Sequence, residues 1–294
     1  VNRISLSKTS EKIIQEEYQS ISNLLNNNLN DEYEVFIFPQ GSYNLGTTIR
    51  PLSGKGEFDV DIVAEITNKN VSNIKAISLK CLIGNVFKKN IRYGNERMDE
   101  KNRAWRINYE NNSHVDVVPA IVSENRNSDI LITNKIKGKY NYLYSSPMKY
   151  KDWFISMSNE ITNKDYLENN FRNTVKNLPK YMKGTILQRA VRLIKYHRNK
   201  YFQDVIDEKI KPISIIMTTL AAESYGDETD LSSAVTSIVR KMRTNIVSRN
   251  GKTIISNPVD LNENFADKWE EYPERKKVFL SGLVNLKKIF QRIH

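Results

Sequence analysis

The sequence predicts an α+β protein, with strands gathered in its first half and helices in its second. Runs such as Asp59-Val60-Asp61-Ile62-Val63 and His114-Val115-Asp116-Val117-Val118 alternate polar and apolar residues, the period of a half-buried strand. After Pro147 the pattern changes, and apolar residues recur at the three- and four-residue steps of helices. Strands followed by helices, rather than the two in alternation, read as α+β or as two lobes. A chain of 294 residues is long enough for either.

The elements follow in order. Glu11 to Leu29 reads as a helix, because Ile14, Tyr18, Ile21 and Leu25 form one apolar stripe. Val35-Phe36-Ile37-Phe38 is a short buried strand that runs into a turn, Pro39 to Gly46, carrying Gly41-Ser42. Pro51 to Gly56 reads as a loop and Asp59 to Val63 as a strand. Ser72 to Lys89 forms a helix through Ile74, Ile77, Leu82 and Val86. Arg103 to Glu110 and His114 to Val122 are strands joined by a hairpin turn at Asn111-Asn112-Ser113. Helices are then expected over 165–178, 185–202, 213–225, 231–249 and 273–293, punctuated by Pro179 and Pro212. The boundary between the sheet-bearing part, 1–164, and a helical lobe, 165–294, is expected before Asp165.

Composition narrows the classes of function. No apolar run approaches the length of a membrane helix, and the segment from Val1 to Glu17 is too polar for a secretory signal. The single cysteine, Cys81, excludes an intramolecular disulfide and suits a reducing, cytoplasmic setting. One cysteine and three scattered histidines cannot build a zinc site of the usual composition. The net charge of +11 permits nucleic-acid binding. The positive residues are nevertheless dispersed, in short clusters such as Arg275-Lys276-Lys277, and a field that concentrates nucleotides explains them equally well.

The chemistry lies in three carboxylates. Residues i and i+2 of a strand share a face, so Asp59 and Asp61 point to one site while Val60 and Ile62 point to the core. Asp116, in a later strand, would add a third oxygen ligand. Such hard ligands suit Mg²⁺, which is held by one or two carboxylates together with substrate phosphates.

Gly41-Ser42, the Asp59-x-Asp61 pair and Asp116 resemble the nucleotidyltransferase motif of the DNA polymerase β superfamily. The words Gln40-Gly41-Ser42-Tyr43-Asn44-Leu45-Gly46-Thr47 and Glu57-Phe58-Asp59-Val60-Asp61-Ile62-Val63 are similar to those of bacterial CD-NTases, second-messenger synthases related to cyclic GMP-AMP synthase. A C-terminal string, from Asn257-Pro258 to Ala266-Asp267-Lys268-Trp269, also looks like that family. The resemblance implies a polymerase β-like core, a mixed twisted sheet with flanking helices, plus a helical lobe, with the active site in the cleft between them. It implies two Mg²⁺ ions on Asp59, Asp61 and Asp116, with Mn²⁺ able to substitute, and a donor triphosphate gripped at Gly41 and Ser42.

The helix from Thr185 adds to this. Gln188, Arg192, Lys195 and Asn199 form a polar stripe beside the apolar one of Leu187, Ala190, Val191 and Ile194. The polar stripe is either a solvent face or the wall of a cleft. In the family a lysine on such a helix and a serine on the next hold the donor triphosphate, and Lys195 and Ser214 match those positions. The activity implied is the joining of nucleoside triphosphates, ATP among them, into a cyclic di- or trinucleotide for anti-phage defence. No nucleic acid or membrane is required. A regulatory protein and an effector reached through the diffusible product are the implied partners. The competing reading keeps the chemistry and changes the acceptor to an RNA end, a protein or a small molecule.

Overall fold

The computed structural model describes residues 3–52, 59–94, 97–110, 113–124, 130–158, 175–179, 184–204 and 210–291. Ser7 caps α1 (Lys8–Leu29), its side chain accepting from the Ser10 N–H. Strand β1 (Val35–Gln40) leads into one helical turn, α2 (Gly41–Asn44), followed by β2 (Asp59–Ile66), α3 (Ala76–Lys88), β3 (Met98–Glu100), β4 (Trp105–Asn108) and β5 (His114–Val122). A hairpin of β6 (Ile130–Ile136) and β7 (Lys139–Ser145) precedes α4 (Pro147–Ser156). The second half holds α5 (Ile186–Tyr201), α6 (Ser214–Ser224), α7 (Leu231–Lys241), the hairpin β8 (Val247–Arg249) and β9 (Lys252–Ile254), the pair β10 (Ser256–Asn257) and β11 (Asp260–Asn264), α8 (Lys268–Glu271) and α9 (Pro273–Gln291).

The main sheet runs β1-β2-β5-β4-β3, with β6 pairing the far half of β5 and β7 pairing β6. It is mixed, because β2 and β5 are parallel while their other neighbours run antiparallel. On one face, Val60, Ile62, Ala64 and Ile66 of β2 pack with α1 and α3 in the larger core. On the other, Phe38, Val63, Val118, Ala120, Ile130 and Ile132 form a smaller apolar floor. A separate core unites α5, α6, α7 and α9, and it also takes in Leu45 and, from α4, Tyr150 and Phe154.

Several expectations need correction. Of the helix expected over 165–178, residues 165–174 lie outside the described residues, and Val175 to Leu178 are not helical. Val175 bridges Ile37 in parallel, and the Lys176 N–H donates to the Ile37 carbonyl. Pro179 follows, and a residue before proline is steered away from helical angles. The helix expected over 231–249 ends at Lys241, and 247–249 instead form β8. Asn250 and Gly251 both have positive φ, the two-residue turn that suits a twisted hairpin. Lys137-Gly138 does the same between β6 and β7, a pair of strands that the sequence pattern does not announce. The loop at 53–56, Glu57-Phe58, and Asn111-Asn112 of the expected hairpin turn lie outside the described residues.

Candidate active site

The turn after β1 is a one-turn helix with a glycine at each end. Gly41 enters it at φ +67° and Gly46 leaves it at φ +65°. The Thr47 N–H bonds to the Ser42 carbonyl and the Gly46 N–H to the Tyr43 carbonyl, the paired bonds of a Schellman ending that calls for glycine at its left-handed position. Gly41 also lies against β2: a Cβ there would fall 2.0 Å from Asp61 Oδ2. The chain therefore carries Ser42 past the carboxylates at a distance only glycine allows. The Ser42 hydroxyl lies 2.9 Å from that of Thr48.

Strand register assembles the carboxylates. Gln40 stands opposite Asp61, Asp61 opposite Asp116, Asp116 opposite Arg106, and Arg106 opposite Asp99. This polar row crosses five strands. A second row, Asp59–His114–Asn108, lies beside it. Beyond them the same face turns apolar at Val63 and Val118.

The charges within these rows interact closely. Arg106 grips Asp116 with both ends of its fork, Nε to Oδ1 at 2.8 Å and Nη2 to Oδ2 at 2.7 Å. His114 Nε2 lies 2.7 Å from Asp59 Oδ1, with the imidazole buried and the Asp59 side chain 57% exposed. Burial disfavours the charged imidazole, but the hydrogen bond and charge of Asp59 outweigh it and raise the His114 pKa. Burial, then the charges of Asp116 and Asp59, push the Asp61 carboxyl up to about 7. Three carboxylates gathered so that one resists ionisation fit a site that receives a cation. Among the described residues, no three carboxylate, imidazole or thiolate groups close into a ready-made cage. That donor set suits a hard divalent ion completed by water and substrate oxygens.

Three members of the polar stripe of α5, Gln188, Arg192 and Lys195, face this turn rather than solvent, while Asn199 accepts from Arg198 Nε. Gln188 Nε2 donates to the Leu45 carbonyl at 3.0 Å, Arg192 Nε to that of Gly46 at 2.9 Å, and Lys195 Nζ to that of Thr47 at 3.0 Å. Burial and then Arg198 pull the Lys195 ammonium down to about 7, while Asp59 and Asp61 pull it back up. Ser214 stands at the first position of α6, where its hydroxyl accepts from Arg198 Nη1 at 3.1 Å. The structure thus brings Asp59, Asp61, Asp116 and Gly41 together, with Ser42 on the adjoining turn. Lys195 reaches the same turn, and Ser214 hydrogen-bonds Arg198, which lies one turn beyond Lys195 on α5.

Arg106 and His114 are the residues that sequence reading passed over. The first was within reach: a hairpin centred near Asn111 puts residue 106 opposite 116. The second was not, because His114 meets Asp59 through a parallel pairing of distant segments.

Residues 1–159 match the family described as the Second Messenger Oligonucleotide or Dinucleotide Synthetase domain. A protein of Roseivirga ehrenbergii named c-di-GMP synthase is 34% identical over 293 residues, which cover 96% of this chain and 74% of that protein. The chain belongs to this family. Its members are the CD-NTases, nucleotidyltransferases that join nucleoside triphosphates into cyclic oligonucleotides. The fold matches solved CD-NTases. The Bradyrhizobium diazoefficiens CD-NTase CdnG in complex with GTP superposes with a TM-score of 0.76 at 17% identity, over 99% of this chain and 89% of that one. Vibrio cholerae DncV cyclic AMP-GMP synthase gives 0.66 at 16% identity, over 99% and 86%. The CdnC:HORMA-deltaN complex of E. coli MS115-1 gives 0.62 at 15% identity, over 99% and 85%. The polymerase β-like α+β architecture is therefore that of the CD-NTase family. No helix among the described residues is long and apolar enough to cross a membrane.

Proposed function

We propose that this CD-NTase uses Asp59, Asp61 and Asp116 to couple nucleoside triphosphates into a cyclic di- or trinucleotide that signals to an effector in anti-phage defence. The observation that carries the reading is the polar row: Asp61 and Asp116 in register on adjacent strands, with Asp59 on the same face and Gly41 against Asp61. In each coupling step a ribose hydroxyl attacks the α-phosphorus of a triphosphate. A P–O bond forms, the bond to the bridging oxygen breaks, pyrophosphate leaves and the hydroxyl proton is lost. Two Mg²⁺ ions on the three carboxylates, or Mn²⁺ in their place, would offset the charge on the attacking and leaving oxygens.

The chain's own residues do the rest. Gly41 lets the backbone approach the β- and γ-phosphates, and the Ser42 hydroxyl holds them. Lys195 supplies a positive charge to the same phosphates, and Ser214 a hydroxyl. Asp116 accepts the proton of the attacking hydroxyl. Arg106 keeps Asp116 aimed, and His114 orients Asp59. In this arrangement the site sits between residues 1–164 and 165–294, with α4 docked on the second part.

The test is to incubate nuclease-treated protein with four labelled nucleoside triphosphates and Mg²⁺ or Mn²⁺. A phosphatase-resistant product, absent with Asp61→Asn, is expected. The Roseivirga relative's name makes GTP the first substrate to try beside ATP. No added DNA or RNA is expected to be needed. A label that appears only on an added RNA end, protein or small molecule would overturn the cyclisation reading. The CdnC complex with a HORMA protein makes a regulatory protein the first addition to try if the enzyme is silent alone.

A further inference from the structure

Helix α5 and the turn after β1 meet through three hydrogen bonds with a regular pattern. The donors, Gln188, Arg192 and Lys195, stand at i, i+4 and i+7 of one helix face, spanning about 10 Å of its axis. The acceptors are three consecutive carbonyls, of Leu45, Gly46 and Thr47, met in the same order. Successive carbonyls of an extended strand point in opposite directions. They can be read by one helix face here because Gly46 bends the chain in the left-handed region. A Cβ on Gly46 would lie 2.6 Å from Gln188 Nε2, so the glycine also makes room for its own clamp.

The donors are firmly placed. Arg192 is 1% exposed and Lys195 5%, and the stems rise from a helix whose Leu187, Ala190, Val191 and Ile194 are core residues. Gln188 is anchored at both ends of its amide: Oε1 accepts from the Thr185 N–H in the capping box, and Nε2 donates to Leu45. The acceptors bear directly on Ser42. Its carbonyl accepts from the Thr47 N–H at 2.8 Å, and its hydroxyl rests on Thr48.

We propose that Gln188 and Arg192 are positioning residues that hold the 45–47 segment, and through it Ser42, in the geometry that grips the donor's β- and γ-phosphates. Lys195 is the releasable member. When it turns from the Thr47 carbonyl to a phosphate, the other two donors keep the segment in place. The proposal rests on the assignment of the Gly41-Ser42 turn as the phosphate grip. It makes the shape of that grip depend on how α5 sits.

The experiment measures binding of GTP, GMP and inorganic tripolyphosphate, each with Mg²⁺, to the full chain and to Gln188→Glu, Arg192→Met, Arg192→Lys and Ser42→Ala, alongside melting temperatures. Gln188→Glu keeps the capping acceptor but replaces the Nε2 donor with an oxygen that repels the Leu45 carbonyl, so the helix cap survives and the clamp does not. Gln188→Glu and Arg192→Met are expected to weaken GTP and tripolyphosphate about tenfold and GMP less than about twofold, with Arg192→Lys recovering part of the loss. A loss shared equally by GTP and GMP, or no change in either variant, overturns the proposal. The Ser42→Ala arm separates the two ideas. If it lowers triphosphate affinity while the helix variants do not, the clamp fails and the grip stands. If it has no effect and the helix variants have none, the grip assignment fails as well.

Discussion

The two faces of β2 carry different burdens. On one, Val60, Ile62, Ala64 and Ile66 have no exposed surface and lie under α1 and α3. On the other, the strand begins with two carboxylates beside Asp116, one of them resisting ionisation, and continues into an apolar floor. One face lowers the free energy of the fold by burying hydrocarbon. The other gathers like charges that a stability-driven sequence would disperse. A single strand therefore allows stability and chemistry to be changed separately, one residue apart.

The largest expected separation is at Asp61. Asp61→Asn removes a carboxylate that burial, then the charges of Asp116 and Asp59, already press toward its neutral form. The product yield per folded molecule should fall by about a thousandfold or more, which is about 4 kcal/mol of transition-state stabilisation. The melting temperature should hold or rise, because the substitution also removes repulsion. Substantial residual synthesis, or a marked loss of stability, would show that the two faces are not divided as described.

The reverse experiment is Ile62→Ala, the neighbouring residue on the opposite face. Ile62 is fully buried in the larger core. Its truncation should cost roughly 2–5 kcal/mol of stability, from lost transfer energy and the cavity left behind. Denaturant unfolding measures this. At a temperature where the variant stays folded, its turnover should match that of the unaltered chain. A large fall in turnover there would mean that the core face also sets carboxylate geometry.

This division was legible in the sequence because it is local. Period-2 alternation alone puts Asp59 and Asp61 on one face and Val60 and Ile62 on the other. The helical stripe of Gln188, Arg192 and Lys195 was equally local, though its target was not: a solvent face and a cleft wall look alike until the partner is known. Pairing was harder. Nothing within β2 or β5 announces that they are parallel neighbours, so the meeting of His114 with Asp59 needed the fold. The β8–β9 hairpin was lost to helical periodicity running on from α7, although Asn250-Gly251 is a strong hairpin signal. That error did not touch the site, which is built from β1, β2, β4, β5, α2 and α5.

The comparison can be sharpened once more, farther along the site face itself. Glu65 shares the face of Asp59 and Asp61, but it stands opposite Phe36 and Ala120 and is buried. Burial alone raises its carboxyl from 4.5 to about 7. The sign of its effect on stability follows from proton counting. Well below pH 4.5 the group is neutral in both states and imposes no penalty. As the pH rises toward 7, the unfolded chain releases the proton while the folded chain keeps it. The folded state then binds more protons, so its stability falls across that window and stays reduced above it. Glu65→Gln keeps the shape without the titration. The variant and the original should therefore unfold alike near pH 4, and the variant should be ahead by roughly 1–3 kcal/mol near pH 8. Unfolding of both across that range measures the difference. A constant gap, or one that opens in the acid direction, would contradict the assignment. It would also mean that the polar character of this face extends beyond the two polar rows.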